Sequence, residues 1–153
     1  MMEQADILLS SAPLDPATLN KRLSAGTSTG AVATFTGLVR GKGALTALEL
    51  QHHPVMTLTA LNTIGAAAMA RFDLTALLIA HRFGRMKIGE PIVHIATAAP
   101  HRRAALDAVS YTIDVLKTQA PFWKREWYGD TSRWIEPTAE DHGKAAQWLG
   151  AMT

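Results

Sequence analysis

Two lysines, Lys117 and Lys124, stand on either side of Pro121 in the stretch LKTQAPFWKREW. A proline disfavours the helical region for the residue before it. The pattern therefore predicts a helix carrying Lys117 near its end and a strand carrying Lys124. A chain reversal at Pro121 would bring the two amines together. Two ammonium groups in a partly apolar pocket lower each other's pKa. A lysine tuned in this way serves as base, acid or nucleophile near neutral pH. Phe122 and Trp123 are the candidates for the apolar wall. A plainer reading fits the same residues: two solvated lysines, with Lys117 complementing a helix C-terminus. Residue type alone leaves both open.

A second cluster is PHRRAAL, where Pro100 introduces His101, Arg102 and Arg103 at the start of a helix. Cations there oppose the helix macrodipole, so helix stability does not account for them. Free backbone N–H groups beside guanidiniums suit a phosphate, although a solvated basic turn is the simpler alternative. TGLVRGKG sets Arg40 and Lys42 among three glycines. It matches neither common phosphate-loop pattern, and a hairpin turn with exposed charges explains it equally well. The six histidines show no metal-binding spacing. His52 and His53 are adjacent and would face opposite ways in a strand, no carboxylate cluster accompanies them, and no metal site is expected. His81 and His94 are expected in or beside the sheet core. No nucleophile-elbow serine or paired-carboxylate motif appears.

The elements that position these residues follow from pattern. ADILLSSAPLD suggests a short first strand and a turn, and Asp15-Pro16 a helix start. GAVATFTGLVR and ALTALELQHH are expected strands that pair as a hairpin, with Gly37 a bulge or close backbone approach. Pro54 opens a helix to about residue 71, with Met56, Leu61, Ile64, Ala68 and Phe72 approximating one face. LTALLIAHRFG and IVHIATAA are buried strands around the turn RMKIGEP, whose pivot is Gly89. The helix over about 101–118 carries the stripe Leu106, Val109, Ile113 and Leu116. FWKREWYG and DTSRWIEP close the strand set, and a last helix weakened by Gly143 follows. Mixed order favours an α+β fold, read as one domain over 1–153.

Composition narrows function. The 153 residues carry 15 Lys+Arg against 13 Asp+Glu, so no basic stripe points to nucleic acid. There is no cysteine, which removes disulfides, thiolate metal sites and sulfur nucleophiles. If sulfur is handled, another molecule must carry it. No apolar run approaches the roughly 20 residues of a membrane helix, and the start lacks a signal-peptide pattern. A cytoplasmic location is the expectation.

Taken together, GAVATFTGLVRG, HHPVMT, HRFGRMKIGE, HRRAALDAVSYTIDVLKTQAPFWKREW and RWIE resemble the MoaE family, the large catalytic subunits of molybdopterin synthase. The resemblance spans about residues 5–137, leaving 138–153 as a helical tail. It implies an α+β fold of α/β-hammerhead type and a sulfurtransferase without a bound cofactor or metal. The implied reaction moves sulfur onto cyclic pyranopterin monophosphate (precursor Z) to build the dithiolene of molybdopterin. The implied donor is the C-terminal glycine thiocarboxylate of a small ubiquitin-like subunit. The implied assembly is a homodimer that binds two small subunits as a heterotetramer. Carried over by motif, Lys117 and Lys124 are catalytic. Leu38, Val39, Arg40, His101, Arg102, Arg125 and Glu126 join them in contacting substrate, with the His-Arg pair shared across the dimer. Gln51, His53, Val55 and Leu38 depart from the family's usual residues. The competing expectation is a non-enzymatic phosphate-binding or scaffold protein of the same fold class.

Overall fold

The computed structural model describes residues 4–149. Its elements are β1 (Asp6–Ser10), α1 (Pro16–Asn20), β2 (Ala31–Leu38), β3 (Ala47–His52), α2 (Pro54–Phe72) and β4 (Ala76–Arg82). They continue as β5 (Gly84–Lys87), β6 (Pro91–Ala99), α3 (Arg102–Gln119), β7 (Phe122–Tyr128), β8 (Thr131–Ile135) and α4 (Ala139–Leu149). Two four-stranded sheets form, in the orders β1-β4-β6-β2 and β5-β3-β7-β8. Only β1 and β4 pair in parallel; the other pairs are antiparallel. No helix among the described residues is long and apolar enough to cross a membrane.

The first sheet is covered on both faces, which explains the unbroken apolar run of β4. Leu77 and Ile79 face α2 and α3 in a core with Leu61, Ile64, Ala108 and Val115. Leu78 and Ala80 point the other way, onto Leu14 and Leu19 around α1. The second sheet has a smaller core of Val39, Leu48, Leu50 and Met86, with Ile92 and Phe122 against it.

Several sequence expectations change. The strands β2 and β3 are not a hairpin: β2 pairs with β6, whereas β3 pairs with β5 and β7 in the other sheet. The reason is the loop between them, which carries the chain from one sheet to the other. The expected turn over residues 85–91 contains a strand, because residues 84–87 pair with β3 and leave the turn to residues 88–90. Gly89 is its pivot, at φ 88°. The register break at Gly37 matches the expected bulge. The buried side of α3 is Ala105, Ala108, Thr112 and Val115, with Tyr111 and Leu116. The larger stripe lies to one side, and Leu106 is exposed. Small residues win that face because α3 lies close against β2 and β6. Met56 is likewise exposed on α2, while Leu61, Ile64 and Ala68 are buried.

At the end of the chain, α4 folds back on α3. The Trp148 indole N–H donates to Asp114 at 2.9 Å, and its ring meets Phe72 and Tyr111 edge-on. The Arg71 guanidinium lies over these three rings and donates to the Trp148 carbonyl. Reciprocal bonds between Thr138 and Asp141 form a capping box at its start. This anchoring outweighs the cost of Gly143 in the helix interior.

Candidate active site

The helix α3 ends where Pro121 requires. Ala120 is its C-cap, in extended conformation at φ −83° and ψ 127°, and its N–H bonds to the Leu116 carbonyl. Lys117 lies exposed in the last helical turn, and β7 starts at Phe122. A buried hydroxyl secures this reversal. Thr57, near the start of α2, donates to the Pro121 carbonyl at 2.8 Å and accepts from the His53 N–H.

Strand alternation sorts the residues of β7 by face. Phe122, Lys124, Glu126 and Tyr128 share the face of Leu48 and Leu50, their partners on β3. Trp123, Arg125 and Trp127 occupy the opposite face. The expected apolar wall is therefore half right. Phe122 belongs to it, but Trp123 points away and is 52% exposed. Behind Phe122, the His81 ring stacks at 4.0 Å and nearly parallel, and its Nδ1–H donates to the Arg82 carbonyl. As a carbonyl only accepts, Nδ1 carries the proton. Burial, reinforced by the nearby charge of Lys117, pushes the His81 pKa down to about 4. This ring is neutral at physiological pH.

Lys124 is partly buried, and its pKa is lowered. Desolvation is the main cause, followed by the positive charge of Lys117. Lys42 pushes the same way, while Glu126 and Asp141 oppose. The charge of Lys117 thus reaches Lys124 across the helix-to-strand reversal.

Glu126, on the same face of β7, is a buried charge, only 2% exposed. Its carboxylate pairs with Lys42 at 2.8 Å, accepts from the Tyr128 hydroxyl at 3.0 Å and lies 3.6 Å from Arg133. The Lys42 bond, with Tyr128 in support, holds its pKa below the usual carboxylate range. As part of a phosphate loop Lys42 has little support in the sequence, and the tertiary structure makes it the partner of this carboxylate.

The remaining candidates divide. Arg40 is exposed and follows Val39, which is 2% exposed in the smaller core. The Val39 N–H and carbonyl bond to Glu90 and Gly89, so this residue fixes where Arg40 leaves the sheet. A partly buried ion pair between Arg82 and Glu90 supports the same turn. Leu38 is 53% exposed beside it. Arg125 is on the other face, against the Trp134 and Trp127 rings and 4.0 Å from Glu49, away from Lys124.

His101 and Arg102 are exposed at the start of α3. His101 makes no side-chain cap bond, and no acidic residue occupies the first turn. Arg103 is exposed as well and pairs with Asp107 along the helix. Yet His101 and Lys117 bound opposite ends of α3, roughly 24 Å apart by helical rise. One chain does not bring them into one site.

No cluster of three or more potential metal ligands occurs among the described residues. His94 is held by Thr36 at 2.8 Å and Asn20 at 2.7 Å, a satisfied core histidine. The residues that sequence reasoning missed are His81 and Lys42 in their site roles, Thr57 and Asp141. Period-two alternation could have linked Lys124 to Glu126. Nothing local announces Thr57 or His81, whose partners are distant in sequence.

Comparison with known proteins places this geometry in context. A family model described as "MoaE protein" matches residues 9–119. The molybdopterin synthase catalytic subunit of Caulobacter vibrioides is 46% identical over 144 residues, covering 93% of this chain and 96% of the relative. A solved molybdopterin biosynthesis MoaE protein from Burkholderia ambifaria superposes with TM-score 0.79 at 36% identity, covering 96% of this chain and 99% of that one. A complex of subunits 1 and 2 of molybdopterin-converting factor from Helicobacter pylori contains a chain of the same fold, with TM-score 0.72 at 20% identity. That match covers 85% of this chain and 90% of the other.

Proposed function

The chain belongs to the MoaE family, and from that premise we propose that it is the catalytic subunit of a molybdopterin synthase, acting as a sulfurtransferase. Sulfur passes from the C-terminal glycine thiocarboxylate of a small ubiquitin-like subunit to cyclic pyranopterin monophosphate. The observation that carries this reading is the lowered pKa of Lys124, partly buried and within the field of Lys117. A non-enzymatic phosphate-binding module has no use for such a lysine. The absence of cysteine agrees, since no persulfide forms on this chain and sulfur must arrive on a partner.

In this mechanism Lys117 meets the thiocarboxylate terminus and the carbon under attack. Lys124 transfers protons and offsets charge as sulfur adds and water or phosphate leaves. Arg40 holds substrate from the same chain. His101 and Arg102 come from a second copy, because α3 separates them from Lys117 within one chain. The proposed assembly is a homodimer carrying two small subunits; the Helicobacter pylori protein of the same fold is in a complex of subunits 1 and 2. Arg125 supports its sheet face against Trp134, and Val39 acts by placing Arg40.

Reconstitution with a thiocarboxylated small subunit and precursor Z, read out as molybdopterin, tests the proposal. Lys117→Ala is expected to abolish product while leaving small-subunit binding largely intact. Near-normal output from this variant would overturn the assignment.

A further inference from the structure

We propose that Lys42 is a positioning residue: by occupying the buried Glu126 carboxylate, it keeps that carboxylate from pairing with Lys124. The inference deepens the proton-transfer role proposed for Lys124 and rests on that reading for its catalytic consequence.

The geometry is specific. Lys124 and Glu126 are two residues apart on β7 and project from the same face. A buried carboxylate seeks a cation, because its charge is costly to leave unpaired. Lys124 is the cation nearest in sequence on that face. Instead the Glu126 Oε2 atom is taken by the Lys42 Nζ at 2.8 Å, and Oε1 by the Tyr128 hydroxyl at 3.0 Å. Arg133 on β8 adds a weaker contact at 3.6 Å. Among the described residues, Lys124 itself has no carboxylate within ion-pair distance.

Lys42 reaches this position from an exposed loop. Gly41 and Gly43 flank it, and Gly43 has a left-handed φ of 52°. A β-branched or bulky residue there would be strained, so the glycines let the loop bend toward the sheet. The lysine is half exposed at 51%, whereas its partner is 2% exposed. It therefore serves as a removable counter-charge for a group that cannot leave.

The charged groups acting on Lys124 come from several elements: Lys117 on α3, Lys42 on the loop, Glu126 on its own strand and Asp141 on α4. Removing Lys42 takes away one cation and releases one anion. Both changes favour the charged form of Lys124, and so both raise its pKa.

The test uses the full-length chain labelled with carbon-13 lysine, with the Lys124 resonance assigned through Lys124→Arg. NMR titration of Lys124 is compared for wild type, Lys42→Gln, Lys42→Arg and the double variant Lys42→Gln/Glu126→Gln. Lys42→Gln should move the titration to higher pH. Lys42→Arg should leave it near wild type, and the added Glu126→Gln should bring it back down. An unmoved titration in Lys42→Gln would overturn the proposal, as would an equal rise in Lys42→Arg.

The assembled synthase then reports on catalysis. With Lys42→Gln, turnover at pH 7 should fall about tenfold, the scale set by one nearby charge. The limb of the pH–rate profile governed by Lys124 should move up with the titration. A purely structural loosening of the loop would lower the profile evenly and leave the limb in place, which counts against the proposal. If the titration moves and the limb does not follow, the Lys42 role stands and the proton-transfer role of Lys124 fails.

Discussion

Burial acts on Lys124 and on His81 in the same direction, disfavouring the cation, but to different ends. In Lys124 it tunes a group that remains partly accessible. In His81 it fixes a neutral ring as packing for Phe122, at the base of the lysine site. The cost of this choice appears in acid. The unfolded chain binds a proton at His81 near pH 6.5, while the folded chain refuses it down to about pH 4. Its contribution is therefore fully present above about 6.5 and is lost as pH falls through that window. The loss is on the order of 3 kcal/mol by linkage. Urea unfolding followed between pH 7.5 and 4.5 should show this decline. His81→Phe should flatten it by about one proton's worth of slope, leaving the part due to His94, whose pKa burial also lowers. An unchanged slope would show that His81 titrates normally in the fold. At this scale the sequence was informative about identity: Lys117 and Lys124 stood out by spacing around a proline. It was uninformative about Lys42, because an exposed loop cation and the ligand of a buried carboxylate look alike until the strand facing it is known.

Between elements, the decisive join is the α3–β7 reversal. Pro121 sets where the helix stops, but the direction taken afterwards depends on α2, through the Thr57 hydroxyl and the Pro121 carbonyl. Thr57 is fully buried. Replacing it with valine keeps the shape and leaves that carbonyl without its donor, at a cost of about 1–3 kcal/mol. We expect Thr57→Val to unfold at lower urea concentration with an unchanged m-value, and to lose turnover more than small-subunit affinity. Retained stability and rate would mean that the reversal is fixed by Pro121 alone. The other end of α3 depends on an equally close join. A Cβ placed on Gly30 would lie 2.2 Å from the Pro100 carbonyl oxygen, immediately before His101. Most elements were legible from periodicity and from proline and glycine punctuation. Their pairing was not: β2 and β3 are neighbours in sequence yet enter different sheets. The stripe on α3 also misled, since close packing selected alanines over larger side chains.

Across the whole molecule, α3 acts as a spacer. It holds His101 and Arg102 at one end and Lys117 at the other, roughly 24 Å apart. Under the proposed function, a complete site takes two copies, each supplying one end, which suits a two-fold dimer. Mixing Lys117→Ala chains with Arg102→Ala chains under conditions of subunit exchange tests this directly. Each parent should be inactive or nearly so, while mixed dimers contain one intact site and one doubly altered site. Random pairing should recover about a quarter of wild-type activity. No recovery would place both residues in one chain's site or outside catalysis. The sequence by itself determined the chemistry available: paired lysines around a proline, a basic helix start, no cysteine, and motifs sufficient to identify the family. These depend on residue type and local spacing, which a chain carries whether folded or not. Only the tertiary structure decided which groups share a face, which charge neutralises Glu126, and which end of α3 each cation occupies. Those outcomes depend on contacts between residues far apart in sequence, and they are settled by strand register, burial and the low tolerance of a protein interior for an unpaired charge.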